Sequence, residues 1–329
     1  MRFRLMVATA AVTGAACGIS TQPSPPTLEL PLACEPGRSC FVQQYMDHDA
    51  GPAARDYRCG VKVYNAHSGT DFRVPTRAAQ AAGVEVRAAA SGQVKGVRDG
   101  MADRGPGVPP ENIAGRECGN GLVVDHGDGW ESQYCHMARG SLRVKTGDAV
   151  AAGAPLGRVG QSGDAEFPHL HLSLRQAGQP VDPFAYGAAA GACGGGRSLW
   201  SRGAASALAY RSPEMINGGF ANAPVSMDEI EADNAAGKSA TATGANLVAF
   251  VRGIGLDKGD VQSLTLTGPD GQLLAENTLA PLDRPKAQYM FFVGKRLRAG
   301  RWPAGAYTAR YQVRRANAVV LNRSFQIRL

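Results

Sequence analysis

Between Val84 and Phe184, apolar and polar positions alternate in short runs: VEVRAAASGQVKGV, GLVVDHGDGWESQYCHM, SLRVKTGDAVAAGAPLGRVG and HLHLSLRQAGQPVDPF, separated or interrupted by glycine-containing turns. A period of two puts every second side chain on one face of an extended chain, so the pattern predicts half-buried strands in an antiparallel sheet over about Val61 to Tyr186. The pattern returns from about Gly244 to the end in NLVAFVRGIGL, VQSLTLTGPDGQLLAE, QYMFFVGKRL and GAYTARYQVRRANAVVLNRSFQIRL. Strands at that spacing, with turns such as Gly268-Pro-Asp-Gly271, fit a small sandwich of the immunoglobulin-like kind. The two series are separated by GAAAGACGGGRSLW, which reads as a linker, and by an alanine-rich helix around Arg202–Tyr210. The expected fold class is therefore all-β: an antiparallel sandwich or groove domain over 34–186, a linker over 187–215 and a β-sandwich accessory domain over 216–329.

The first residues break this pattern. MRFRLMVATAAVTGAACGIS has two arginines, an apolar stretch from Leu5 to Val12 and then small residues, the layout of an export signal over 1–17 and too short an apolar run to anchor stably across a bilayer. Cys17 after Gly14-Ala15-Ala16 is placed like the lipidated cysteine of bacterial lipoproteins, which would attach the chain to a membrane; simple cleavage near Ala16, giving a soluble product, is the other reading. Residues 18–33, with TQPSPPTLELP, read as a proline-rich tether.

Composition narrows the function classes. With 44% hydrophobic and 19% charged residues, 42 glycines and 20 prolines, the 329-residue chain is globular and rich in turns. The net charge of +7 is spread diffusely, without a basic run or a nucleic-acid motif, so it suits weak attraction to anionic envelope surfaces rather than nucleic-acid binding.

Export makes disulfides the default for the six cysteines other than Cys17. Cys118 and Cys135 stand symmetrically about a Gly-Asp-Gly hairpin turn, which would set them facing each other. The other four, Cys34, Cys40, Cys59 and Cys193, leave three pairings open.

Histidine is scarce, with six in the chain, yet His169 and His171 lie one residue apart in a strand pattern and so share a face. In HSGTD, His67 and Asp71 are four apart, and on an extended segment they too share a face. Two histidines and an aspartate with one position left open is how a catalytic zinc site is built. His136 ends QYCHM; His126 sits by the hairpin turn and reads as structural; His48, between two aspartates, reads as part of a solvated loop rather than a second metal site. The Gly/Pro-rich stretch from Asp99 to Gly119 reads as a long loop, either a binding element or a tolerated insertion.

HSGTD, QYCHM and HLHLSL in that order, with GVEVRAAASGQV and VKTGDAVAAGAPLGRVGQSG between them and PVDPF closing the segment, resemble the lysostaphin/LytM family of zinc metallopeptidases that cut peptidoglycan cross-links. The likeness covers roughly 60–185. It implies a Zn2+ ion held by His67, Asp71 and His171, and catalytic roles for His136 and His169, either of which could be the base. It implies peptidoglycan peptide stems as substrate and leaves Tyr57 and Tyr64 as candidates for a transition-state tyrosine. Some LytM-type proteins are instead silent regulators that bind wall or activate an amidase; here all five positions are filled. The sequence departs from the family at Phe167-Pro168 and Leu172-Ser173, which bears on the neighbouring subsite.

Overall fold

The computed structural model describes residues 24–105, 113–192, 194–233 and 238–329. The first domain is built on an eight-strand antiparallel sheet that carries Asp71, His136, His169 and His171. Its central strands are Thr70–Arg73, His169–Gln176, Trp130–Met137 and Asn120–Gly127, hydrogen-bonded in that spatial order. The short strand Phe41–Gln44 flanks Thr70–Arg73 at one edge, and a two-strand ribbon of Glu85–Arg87 and Pro155–Arg158 lies off the sheet. Val86, Val94, Leu122, Val124, Tyr134, Leu156, Leu170 and Leu172 fill the core, each at most 3% exposed, as the alternation requires.

Two segments depart from expectation. The stretch read as a tether is part of the fold from its middle onward. Leu28 and Leu32 are buried in the core, and Leu28 exchanges backbone hydrogen bonds with Leu199 and Ser201. The stretch read as a linker returns the favour: Leu199, Trp200, Ala204 and Leu208 bury against the same core. Both carry apolar side chains whose burial offsets the order their backbones must accept. The alanine-rich helix runs Arg202–Ala207, capped by Ser201.

The second domain is a sandwich of a three-strand and a four-strand antiparallel sheet. One sheet is Glu214–Ala221, Asn246–Leu256 and Lys286–Arg296; the other is Leu273–Thr278, Val261–Thr267, Ala306–Arg315 and Ala318–Arg328. Leu247, Ala249, Val251 and Phe291 from one face meet Leu264, Leu266, Tyr307 and Tyr311 from the other. Gly268–Gly271 forms the expected turn, with the Gly271 N–H donated to the Gly268 carbonyl.

The domains are joined through buried charge. Lys62 donates to Glu214 at 2.8 Å with its side chain fully buried. Glu231, on the helix Met227–Ala232, receives both Arg73 of the first domain and Arg252 of the sandwich, and Arg252 also donates to the Pro75 carbonyl. Isolated buried charges are prohibitive, so these pairs fix how the faces meet.

The hairpin disulfide forms as expected, Cys118 to Cys135 with Cα atoms 4.8 Å apart. Cys34 pairs with Cys40. Cys59 is also disulfide-bonded, while Cys17 and Cys193 lie outside the described residues, as do the export signal and part of the Asp99–Gly119 loop.

Candidate metal centre and cleft

Register brings the site together. Asp71 is paired directly opposite His171 across neighbouring antiparallel strands, and Arg73 opposite His169. Opposed residues in such a pair share a face, so Asp71 stands beside both histidines. His67 is not on the strand; it arrives through a loop in which Ala66 adopts a left-handed φ of 62°. Gly69 lies against the His171 ring, where a Cβ would fall 2.6 Å from Nε2, so only glycine fits the approach.

Three donor atoms converge. His67 Nε2 is 3.2 Å from Asp71 Oδ1 and 3.1 Å from His171 Nδ1, and His171 Nδ1 is 2.8 Å from the same Asp71 oxygen. The tautomers follow from the partners on the far sides. His67 Nδ1–H donates to the Tyr45 carbonyl at 2.6 Å, leaving Nε2 as a bare lone pair. Ser173 Oγ, 2.9 Å from His171 Nε2, accepts the proton that leaves Nδ1 bare. Two imidazole lone pairs and a carboxylate aimed at one point repel one another unless a cation sits among them. Donors about 2.0–2.1 Å from a tetrahedral zinc lie about 3.3 Å apart. The separations present fit such an ion, and the two outer partners are the kind that orient zinc-bound histidines. Tyr45 is itself held in a cluster of Tyr57, Phe184 and Tyr210, so PVDPF supports the site from behind through Phe184.

His136 and His169 sit beside this centre, with ring centroids 4.6 Å apart. His136 Nδ1–H donates to the Ser162 carbonyl and His169 Nδ1–H to the Phe167 carbonyl, each at 2.8 Å. Both therefore present bare Nε2 atoms, that of His169 being 3.6 Å from Asp71 Oδ1. Burial, together with the neighbouring His169 and His171, pushes His136 down to about 3, and burial also lowers His169. Both are neutral near pH 7 and can accept a proton. His136 adopts a left-handed φ of 63°, a strained conformation of the sort that persists where the surroundings enforce it. Its N–H donates to the Cys118 carbonyl at 2.8 Å, so the hairpin disulfide fastens the neighbouring backbone. Asp71 is buried, which favours its neutral form, but its contacts with His169, His67 and His171 hold it well below the usual carboxylate range.

These side chains open onto a cleft of about 420 Å³ lined by Gln44, Tyr64, Asp71, His136, Asp164, Glu166, Phe167, His169 and Ala287. Ala287 belongs to the sandwich, and its carbonyl accepts from Gln43 Nε2 at 3.0 Å. Of the two tyrosines singled out in the sequence, Tyr64 lines the cleft and lies against His67 with ring centroids 4.4 Å apart; Tyr57 is in the aromatic cluster. The described start of the Asp99–Gly119 loop runs beside the cleft, where Arg104 donates to Asp164 at 3.3 Å.

The remaining histidines lie elsewhere. His126 bridges the Ser91 carbonyl and Ser132 Oγ, each at 2.8 Å, a structural role. His48 is not in a solvated loop: its side chain is 12% exposed and pairs with Asp182 at 2.7 Å. That pairing uses the aspartate of PVDPF, which a reading of His48 among its own neighbours could not find. Sequence reasoning also missed Gln44, Ser162 and Ser173, which act through the fold rather than a motif.

The fold and the donor set are similar to those of LytM-type peptidases. The segment of residues 65–183 matches the model of Peptidase family M23. Over 71 residues it is 39% identical to the cell division protein DipM of Caulobacter vibrioides, covering 20% of this chain and 11% of that protein. Over 123 residues it is 30% identical to the DD-carboxypeptidase/endopeptidase Mpg of Neisseria meningitidis serogroup B, covering 37% and 23%. It is 36% identical over 64 residues to the peptidoglycan DD-endopeptidase ShyA of Vibrio cholerae, covering 20% and 14%. The chain thus spans less than a quarter of the length of these relatives.

Proposed function

We propose that the chain is a zinc-dependent endopeptidase that hydrolyses peptide cross-links of peptidoglycan. The observation that carries this reading is the convergence of His67 Nε2, Asp71 Oδ1 and His171 Nδ1 on one point beside two bare imidazole nitrogens. The match of residues 65–183 to the model of Peptidase family M23 and the names of Mpg and ShyA support the substrate class.

His67, Asp71 and His171 would hold the zinc, which when bound supplies a Lewis acid for the scissile carbonyl and acidifies water. His169 and His136, neutral and anchored at Nδ1 by backbone carbonyls, receive a proton at Nε2 during attack and return it to the leaving amine. Once protonated, either imidazole also stabilises negative charge developing on the carbonyl oxygen. The Tyr64 hydroxyl, at the cleft wall beside His67, is a further donor toward that oxygen. The cleft accepts an extended peptide, with the sandwich forming part of its wall through Ala287. Export through residues 1–17 would deliver the enzyme to the envelope, with Cys17 as a possible point of lipid attachment.

The test is incubation of the chain lacking residues 1–17 with purified peptidoglycan, with mass spectrometry of the released muropeptides, beside a chelated sample and His169→Ala. Conversion of cross-linked dimers to monomers by the metal-loaded wild type alone is the expected result. Absence of conversion on several wall types, with zinc bound, would instead favour a silent regulator.

A further inference from the structure

Three groups in the cleft have no task in bond cleavage: Gln44, Asp164 and Glu166. Gln44 is 8% exposed, and its Oε1 is buried without a hydrogen-bond partner. A buried acceptor left unpaired is costly, so Gln44 Oε1 is placed to receive a donor that arrives from outside. The backbone explains its aim. Gln44 is paired across from Asp71, but the register shifts between Val42 and Gln44, a bulge at Gln43. Bulges of this kind re-aim side chains next to active sites. Gln43 is thereby turned toward the sandwich, donating to the Ala287 carbonyl and accepting from Arg73, while Gln44 is left on the face it shares with Asp71.

The carboxylates lie on the opposite wall, in the turn before His169. Asp164 takes one weak contact from Arg104 at 3.3 Å; Glu166 has no ion-pair or hydrogen-bond partner among the described residues. Ala165, between them, is 1% exposed, whereas Asp164 and Glu166 are both exposed and both line the cleft. The other cation near this wall, Arg73, is buried beneath the Phe167 ring at 4.4 Å and already joined to Glu231. Glu166 therefore presents a negative charge without an ion-pair partner among the described residues, beside an Asp164 held by one contact, in a chain of net charge +7.

We infer that this cleft selects peptides bearing a free primary ammonium close to the scissile bond, with Glu166 and Asp164 taking the ammonium and Gln44 Oε1 taking a peptide N–H. The inference rests on the proposed endopeptidase reading and narrows it: the substrate is a stem with an uncapped diamino acid, and an all-glycine bridge is disfavoured. Asp164 and Glu166 are specificity-determining and stand apart from the proton-transfer pair.

The experiment uses the chain lacking residues 1–17, with muropeptides in two forms: native, and with their free amines acetylated. Binding is followed by titration calorimetry in the zinc-loaded His169→Ala background, and cleavage in parallel with otherwise wild-type protein. Native muropeptides are expected to bind more tightly than acetylated ones. Glu166→Gln and Asp164→Asn should each weaken the native form by roughly two- to fivefold, the scale of an exposed ion pair, and leave the acetylated form unchanged. Gln44→Leu should weaken both forms by about tenfold, and Gln44→Asn should recover little, because the shorter side chain withdraws the acceptor. Equal binding of the two forms by the unsubstituted cleft, or equal weakening of both by Glu166→Gln, overturns the inference. Charge-dependent binding without cleavage would sustain the subsite and remove the endopeptidase; cleavage without discrimination would do the reverse.

Discussion

The two domains of this chain are made from the same material and put to different uses. Both are antiparallel sheets with small or branched apolar residues on their inner faces. In the first, the central strands also carry Asp71, His136 and His169, buried, and His171, partly buried, tied to backbone carbonyls and neighbours. The sandwich has no histidine and no cysteine. Its buried charges, Glu214, Glu231 and Arg252, include partners reaching from the first domain, and Asp260 answers Arg315 within the sandwich. Identical architecture thus hosts chemistry where opposed strands bring polar side chains onto one face, and hosts docking where the polar side chains look outward to a partner.

Substitution within the metal centre should separate the domains most sharply. Asp71→Ala is expected to abolish zinc retention and muropeptide conversion, and His169→Ala to lower conversion by about 10²–10⁴-fold with zinc retained. Metal content by atomic absorption and conversion by mass spectrometry check both; full activity in either variant would discard the assignment. Next comes the junction. Glu231→Ala leaves Arg73 and Arg252 buried without a counter-charge and should cost about 3–5 kcal/mol, read as a lowered melting temperature. If the two domains melt independently and unchanged, the junction contributes nothing. Reduction of the Cys118–Cys135 link, which closes a separation of 17 residues, should cost about 3 kcal/mol. Because the Cys118 carbonyl holds the His136 N–H, activity should fall before the sandwich unfolds, a sequence that circular dichroism and conversion assays can order.

The smallest effect concerns His48. Its hydrogen bond to Asp182 raises its pKa, a rise that burial opposes. A group raised on folding stabilises the fold fully below its unfolded value near 6.5 and loses that contribution as pH climbs through the folded value. Melting temperature should therefore decline on passing from pH 6 toward higher pH, and His48→Gln should flatten that stretch of the profile. An unchanged slope in the variant would show that the pair is not the titrating element.

The legible part of the site was whatever strand alternation places within a few residues. His169 and His171 share a face by a rule of period two, and the likeness of HSGTD, QYCHM and HLHLSL to one family set the order of the pieces. The hairpin disulfide was legible for the same reason, as symmetry about a turn. What alternation cannot supply is register. The pairing of Asp71 with His171, the bulge that turns Gln44 into the cleft and the contact of His48 with Asp182 are all choices between strands or loops distant in sequence. The prolines of TQPSPPTLELP point to a tether, although the alternate leucines that follow carry the signal of a buried extended segment; Leu28 and Leu32 answer to it. Arg73 meets Gln43, Glu231 and Gln288, which are 30, 158 and 215 residues away, and nothing local announces them.

That sharing of one carboxylate between two guanidinium groups limits how freely the sandwich can be exchanged. A peptidase domain transplanted to another scaffold would carry Arg73 to a surface with no Glu231, and a different sandwich docked here would bring neither Glu231 nor an acceptor for the guanidinium behind Phe167. Recombination at the boundary is therefore tolerated only when the three charges travel together, and an engineer shortening this chain to its first domain should first neutralise position 73.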